Sequence, residues 1–236
     1  MNRRPAVVRH VHRAERAVVE ALGRMGTATV HEALGRRGFA GAHLRPIQQG
    51  TRLAGSAITV SSHPGDNLML HAAVEVCREG DVLVVANTAP STHGMFGELL
   101  ATSLMAHGVR ALVIDAGVRD TAELRAMGFA VWSQHVSCEG TVKATPGSVN
   151  VPVVLGTQAV QPGDVVCADD DGVVVVPRAE AAWALGQAEA RVAREEATRA
   201  RLAAGELGVD IYGMRRLLED LGVTYVDHPD ALEAPE

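Results

Sequence analysis

Lysine is nearly absent from this chain: of 22 basic residues, 21 are arginine and one is Lys143. Arginine stays protonated at neutral pH, so any chemistry that needs a nucleophilic side-chain amine falls to Lys143 alone. Cysteine is scarce too. Cys77, Cys138 and Cys167 are widely spaced in mostly apolar contexts, which predicts buried free thiols in a reducing compartment rather than a disulfide framework. Positive charge is not in excess; the formal charge is −6, which gives no electrostatic case for nucleic acid or an anionic membrane. No window of membrane-spanning length is free of charge. The start, MNRRPAVVRHVHRAERAVVEALG, lacks the continuous apolar run of a secretory signal, and Glu15 and Glu20 interrupt it too soon for a mitochondrial presequence. A cytoplasmic protein is expected. Paired histidines at zinc spacing are missing: His31–Glu32 begins like a zinc-protease helix, but position 35 is Gly35. No glycine-rich loop follows a first strand, so a methyltransferase has no support.

What is present is a chain long enough to bury one substantial core, with 47% hydrophobic residues. Helical patterns occupy 14–25 and 28–37, with Thr27 or Thr29 as caps, followed by a strand at Ala57–Ser62, a helix at Asp66–Arg78 and a buried strand at Asp81–Ala86. A helix over 96–107, a strand over 110–114 and a helix from Thr121 to Met127 come next. Short strands punctuated by glycine and proline fill about 130–176, and helices cover 178–203 and 209–221. This order predicts a layered α/β domain. Its parts are a 1–27 N-terminal helical segment, a 28–177 α/β core and a 178–236 C-terminal helical extension. Glu79–Val85 echoes Pro162–Val166, each a Gly-Asp turn entering a valine-rich strand, and a structural repeat explains it. Asp169–Asp170–Asp171–Gly172 lacks EF-hand spacing and reads as a tight turn.

The chemistry concentrates in Gly94–Leu100 and Asp115–Asp120. Backbone N–H groups at a helix start lack internal partners and attract anions, so Gly97, Glu98, Leu99 and Leu100 are candidates to hold a small carboxylate. The strand that follows ends in Arg119 and Asp120, a guanidinium for a substrate anion beside a carboxylate for a metal. Each has an ordinary alternative. Asp120 would cap the next helix, Arg119 would form a surface ion pair, and Glu98 would complement a helix dipole.

GELLATSLMAHGVRALVIDAGVRD resembles the active-site stretch of the class II pyruvate aldolases acting on 4-hydroxy-4-methyl-2-oxoglutarate and 4-carboxy-4-hydroxy-2-oxoadipate. TATVHEALGRRG, RLAGSAITVSSHPGDNLMLHAAVE, GTVKATPGSVNVPV, PGDVVCADDDGVVVVPR and EEATRARLAAGELGVDIYGMR agree in order, spanning roughly residues 20–225. The resemblance implies a swivelling β/β/α sandwich, shared with the regulator of ribonuclease activity A group, with helical N- and C-terminal extensions. It implies a lyase of aromatic-compound degradation that cleaves 4-hydroxy-2-oxo acids to pyruvate and a second oxo acid, with oxaloacetate decarboxylation as a side activity. It also implies a metal on Asp120, Arg119 on the 2-oxo oxygen, and Glu98 orienting a water at the metal. The cation would be Mg2+, with Mn2+ or Co2+ substituting. Glu195, or Glu196 beside it, would reach the site from an adjacent subunit of a homotrimer or a homohexamer built as a dimer of trimers. The single lysine favours this metal route over a Schiff base at Lys143. The segment Thr92–His93–Gly94–Met95 departs from the family's usual approach to this turn, which leaves the substituent at C4 open. A non-catalytic binding protein like the ribonuclease regulators is the competing reading, opposed by the long C-terminal tail and the intact Glu98–Arg119–Asp120 set.

Overall fold

The buried strands are built from valine-rich runs whose alternate residues serve two cores. In a strand successive side chains point to opposite faces, and parallel strands covered on both sides read as continuous apolar runs. Between Asp81 and Asn87, Leu83 and Val85 join one core while Val82, Val84 and Ala86 join the other. The computed structural model describes residues 4–232, apart from the side chain of Ala231, so the outermost ends of the expected 1–27 and 178–236 segments lie outside the described residues. Two compact units are present, Met1–Glu189 and Ala190–Glu236.

In the first unit the chain runs α1 (Arg16–Leu22), α2 (Thr27–Ala33), β1 (Arg45–Pro46), β2 (Leu53–Ser62), α3 (Leu68–Val74), β3 (Asp81–Asn87), β4 (Gly94–Phe96), α4 (Glu98–Ala106), β5 (Ala111–Val118), α5 (Thr121–Ala126) and β6 (Ala130–Val136). Then come β7 (Ser148–Val149), β8 (Val153–Leu155), β9 (Gln158–Val160), β10 (Val165–Asp169), β11 (Gly172–Val176) and the start of α6 (Ala181–Ala203). The main sheet has the order β1-β6-β5-β3-β2-β10-β11, with β4 alongside β5 and β7 alongside β2. Strands β2, β3, β5 and β6 are mutually parallel; β10 and β11 continue the sheet antiparallel. Helices α3, α4 and α5 cover one face through Leu70, Leu104 and Leu124. The separate β8–β9 hairpin and Trp132 fill the other. Ala181 and Ala184 of α6 join α1 and α2 in a third cluster over β10 and β11.

Several local expectations change. Phe96 belongs to a strand, and α4 begins at Glu98. Neither Thr27 nor Thr29 caps α2. Gly26 holds the cap position, and the buried Asp169 carboxylate takes the Thr27 N–H (2.9 Å) and hydroxyl (2.5 Å) instead. Asp169 pairs with Gly172 in a hairpin, so the acidic run is a turn. Both Gly-Asp turns have the same geometry. Gly80 and Gly163 sit at φ 89 and 85°, and each following aspartate accepts the N–H three residues back, Arg78 to Asp81 at 2.7 Å and Gln161 to Asp164 at 2.8 Å. Residues 4–15 run extended rather than helical: Val7 bridges Val149, and Arg13 reaches both Asp81 carboxylate oxygens at 2.7 Å. Cys77 and Cys167 are buried, and burial pushes both thiols up to about 12; Cys138 is exposed, against expectation.

In the second unit the helix expected over 209–221 is two short ones, α7 (Gly208–Ile211) and α8 (Arg215–Asp220), divided at Gly213 with φ 65°. Neither buries a residue. Arg201–Glu206 and Arg215–Asp210 ion pairs tie the turns around them.

Candidate functional site

The face of β5 that carries Ala111 and Val113 in the core changes character toward its C-terminal end. Asp115 and Gly117 follow on that face, and Arg119 and Asp120 leave the strand, while Leu112, Ile114, Ala116 and Val118 keep the opposite face apolar. Carboxyl ends of parallel strands are where open α/β sheets place ligands, because the connecting loops diverge there. Strand β4 lies along this end of β5, so its exit at Gly97 and the start of α4 arrive beside Arg119–Asp120.

Asp120 occupies the N-cap position of α5 but does not cap it with its side chain. Its backbone is left-handed (φ 54°, ψ 40°), a strained region that aspartate tolerates better than most residues. That turn swings the carboxylate across to α4. Oδ2 accepts the Glu98 N–H at 3.1 Å and stands 3.6 Å from Arg119 Nε. Gly97 makes the approach possible: a Cβ there would stand 3.1 Å from Arg119 Cγ and Asp120 Cγ and would overlap Oδ2. Gly94 does the same for Arg119, whose Cβ would lie 3.1 Å from an added methyl. The two side chains keep 46% and 39% of their surface open.

Gly97, Glu98, Leu99, Leu100, Arg119 and Asp120 are thus brought together at one strand end. Glu98 and Leu99 are exposed and Leu100 is buried. The Glu98 N–H is occupied by Asp120, and of the four candidate amides those of Gly97, Leu99 and Leu100 meet no acceptor among the described residues. Glu195 belongs to the second unit, where its carboxylate pairs with Arg191 at 2.8 Å; Glu196 pairs with Arg199. Lys143 is exposed, in a segment anchored by the buried Asp66 carboxylate, which accepts the Leu68, Ala144 and Thr145 N–H groups at 2.9, 2.9 and 2.6 Å. Burial raises the Asp66 carboxyl, and those backbone donors more than offset it, holding it below its ordinary value.

Among the described residues no three His, Cys, Asp or Glu side chains converge as a metal cage. The donor set nevertheless fits a hard cation that keeps most of its water: one carboxylate whose Oδ1 meets no donor among the described residues, in a cradle that a Cβ at Gly97 would fill.

Two nearby arrangements were not legible beforehand. His43 Nε2 meets Asp115 Oδ1 at 3.1 Å, across 72 residues. His93 and His135 crowd the open face of Gly117, where a Cβ would stand 2.7 Å from the His93 carbonyl and 2.8 Å from the His135 ring. Only the unusual Thr92–Met95 segment hinted at the second.

Residues 27–175 match the RraA-like family model described as Aldolase/RraA. A protein of Halalkalibacterium halodurans called "Putative 4-hydroxy-4-methyl-2-oxoglutarate aldolase" is 26% identical over 169 residues, covering 72% of this chain and 80% of the relative. A Burkholderia multivorans protein of the same name is 37% identical over 133 residues, covering 56% and 80%. The crystal structure of Streptomyces coelicolor RraAS2, described as an unusual member of the RNase ES inhibitor RraA protein family, superposes with a TM-score of 0.74 at 29% identity, covering 80% of this chain and 99% of that one. The family model spans well over half of the chain, and this chain belongs to the Aldolase/RraA family.

Proposed function

We propose that this protein is a divalent-metal-dependent aldolase that cleaves 4-hydroxy-2-oxo acids to pyruvate and a second carbonyl compound. The observation that carries the reading is Asp120, whose carboxylate is turned away from its own helix and held beside Arg119 at the start of α4. The names of the Halalkalibacterium and Burkholderia relatives support the same class of reaction.

The substrate's pyruvyl carboxylate would rest on the N–H groups of Gly97, Leu99 and Leu100, where the helix end favours negative charge. Cleavage begins when a base takes the C4 hydroxyl proton. The C3–C4 bond breaks, C4 becomes a carbonyl, and the electron pair moves into C2–C3 with charge on the C2 oxygen. Arg119 donates to that oxygen as the charge develops, the interaction that lowers the barrier. Glu98, exposed at the mouth of the site, orients the water that accepts the C4 proton and returns one to C3, releasing pyruvate. Asp120 would hold Mg2+, or Mn2+ or Co2+ in its place, which when bound supplies Lewis-acid stabilisation of the enolate charge. Loss of CO2 from oxaloacetate generates the same enolate and is expected as a side activity. Glu195 would act from a neighbouring subunit of a trimer or hexamer.

The test is pyruvate release from a panel of 4-hydroxy-2-oxo acids that differ at C4, coupled to lactate dehydrogenase. EDTA should abolish it and Mg2+ restore it, and borohydride with pyruvate should leave Lys143 unmodified. Full turnover after exhaustive chelation refutes the metal route. A ribonuclease-regulator role, favoured by the likeness to RraAS2, gains if no oxo acid yields pyruvate.

A further inference from the structure

A cavity of about 520 Å³ has His93 and His135 in its wall, the two residues that lie against Gly117 of β5. Arg119 follows two positions after Gly117, a span of roughly 7 Å along an extended chain, which is within the length of a substrate anchored at Arg119. Pro64 and Pro90 form an apolar rim; Ser91, Thr92, His93, Gln134 and His135 supply its polar surface. These residues are precisely held. The His93 ring lies against Gly65, with Nδ1 3.4 Å from Ser91 Oγ and Nε2 3.4 Å from Glu139 Oε1. Thr92 Oγ1 donates to Glu139 Oε2 at 2.7 Å. The His135 ring lies over Gly117, with its Nε2 buried against that strand and without a hydrogen-bond partner among the described residues.

We infer that this cavity, formed where His93, Gln134, His135 and Glu139 meet beside Arg119, receives the C4 substituent of the oxo acid and selects an uncharged, hydroxylated one. The inference rests on the aldolase reading and deepens it. No arginine or lysine lines the cavity among the described residues, and Glu139 brings a carboxylate to its edge. A second substrate carboxylate accepts hydrogen bonds only and would meet like charge there. A hydroxyl both donates and accepts, so it can give its proton to Glu139 and take one from Gln134. The chain's departure at Thr92–Met95 falls on this wall. Relatives named for a substrate with a carboxylate at C4 would then differ from this protein in what they cleave.

The test uses a matched pair differing only at that substituent: 4,5-dihydroxy-2-oxopentanoate, which yields pyruvate and glycolaldehyde, and 4-hydroxy-2-oxoglutarate, which yields pyruvate and glyoxylate. Each cleavage rate is divided by the rate of pyruvate methyl-proton exchange in D2O on the same preparation. Exchange uses the pyruvyl half of the site alone, so the ratio cancels loss of folded enzyme. The wild type should favour the hydroxymethyl substrate by at least about tenfold in kcat/KM. Glu139→Gln should erode that preference by about tenfold, and Gln134→Ala should lower hydroxymethyl cleavage relative to exchange. Preference for the dicarboxylate, or ratios that move in neither variant while exchange persists, overturns the subsite. Absence of both exchange and cleavage in the wild type overturns the aldolase reading itself, and the subsite with it.

Discussion

Replacing Gly97 by alanine adds one methyl group where α4 and the Arg119–Asp120 turn come closest. The backbone there is extended (φ −159°, ψ −167°), which alanine adopts freely, so the substitution introduces no dihedral strain. Its effect is confined to the methyl group, which would stand 3.1 Å from Asp120 Cγ and overlap Oδ2. Restoring ordinary contact requires the carboxylate to retreat by roughly 1 Å, with loss of its hydrogen bond from the Glu98 N–H. A misplacement of that size costs about 10²-fold in rate, or about 2.7 kcal/mol of transition-state stabilisation. Global stability should change little, because the site is open and the restricted unfolded chain contributes about 0.4–1 kcal/mol in the opposite direction. Pyruvate release should therefore fall about 10²-fold, with weaker Mg2+ binding by calorimetry, while the thermal midpoint stays within a few degrees. An alanine variant with kcat and Mg2+ affinity within about threefold of wild type would refute both the close approach and the role assigned to Asp120.

Arg119→Lys should lose on the order of 10²–10³ in kcat, because an ammonium cannot reproduce the planar donor fork; near-normal turnover would demote Arg119 to a structural ion pair. Asp66→Asn should destabilise the protein by about 2–4 kcal/mol in urea titrations, since an amide nitrogen would face N–H donors that now meet carboxylate oxygen. Because the folded Asp66 carboxyl is held below its ordinary value of 3.8, its contribution is present above that pH and is lost as pH falls through the lower, folded value. The wild type should consequently lose more stability than Asp66→Asn on acidification below about pH 4, by chemical denaturation at each pH. Mixing Asp120→Ala with Glu195→Ala subunits should restore part of the activity if sites are shared between chains; no recovery despite demonstrated subunit exchange would exclude a shared site.

Continuous apolar runs in Asp81–Asn87 and Ala111–Val118 are enough to define strands buried on both faces, and the Gly-Asp turns ahead of Val82 and Val165 mark where two of them begin. The same local signals place an anion-receptive helix start at Gly97 and an Arg-Asp pair at a strand end. They determine less where Gly213 interrupts a helical pattern, because a single left-handed glycine ends a helix whose apolar spacing continues beyond it. Local pattern does not determine which of two neighbouring helices Asp120 serves. Capping of α5 and contact with α4 both fit the sequence, and the second prevails because β4 lies beside β5 and brings Glu98 within 3.1 Å. The histidine cavity was less legible still. Glu139 approaches Thr92 across 47 residues and His135 packs on Gly117 from the adjoining strand. Helical and strand periodicities report which face of an element is apolar. They carry no information on which distant side chains the crossover connections set side by side, so the site's members were readable from the sequence, and their partners only from the packed sheet.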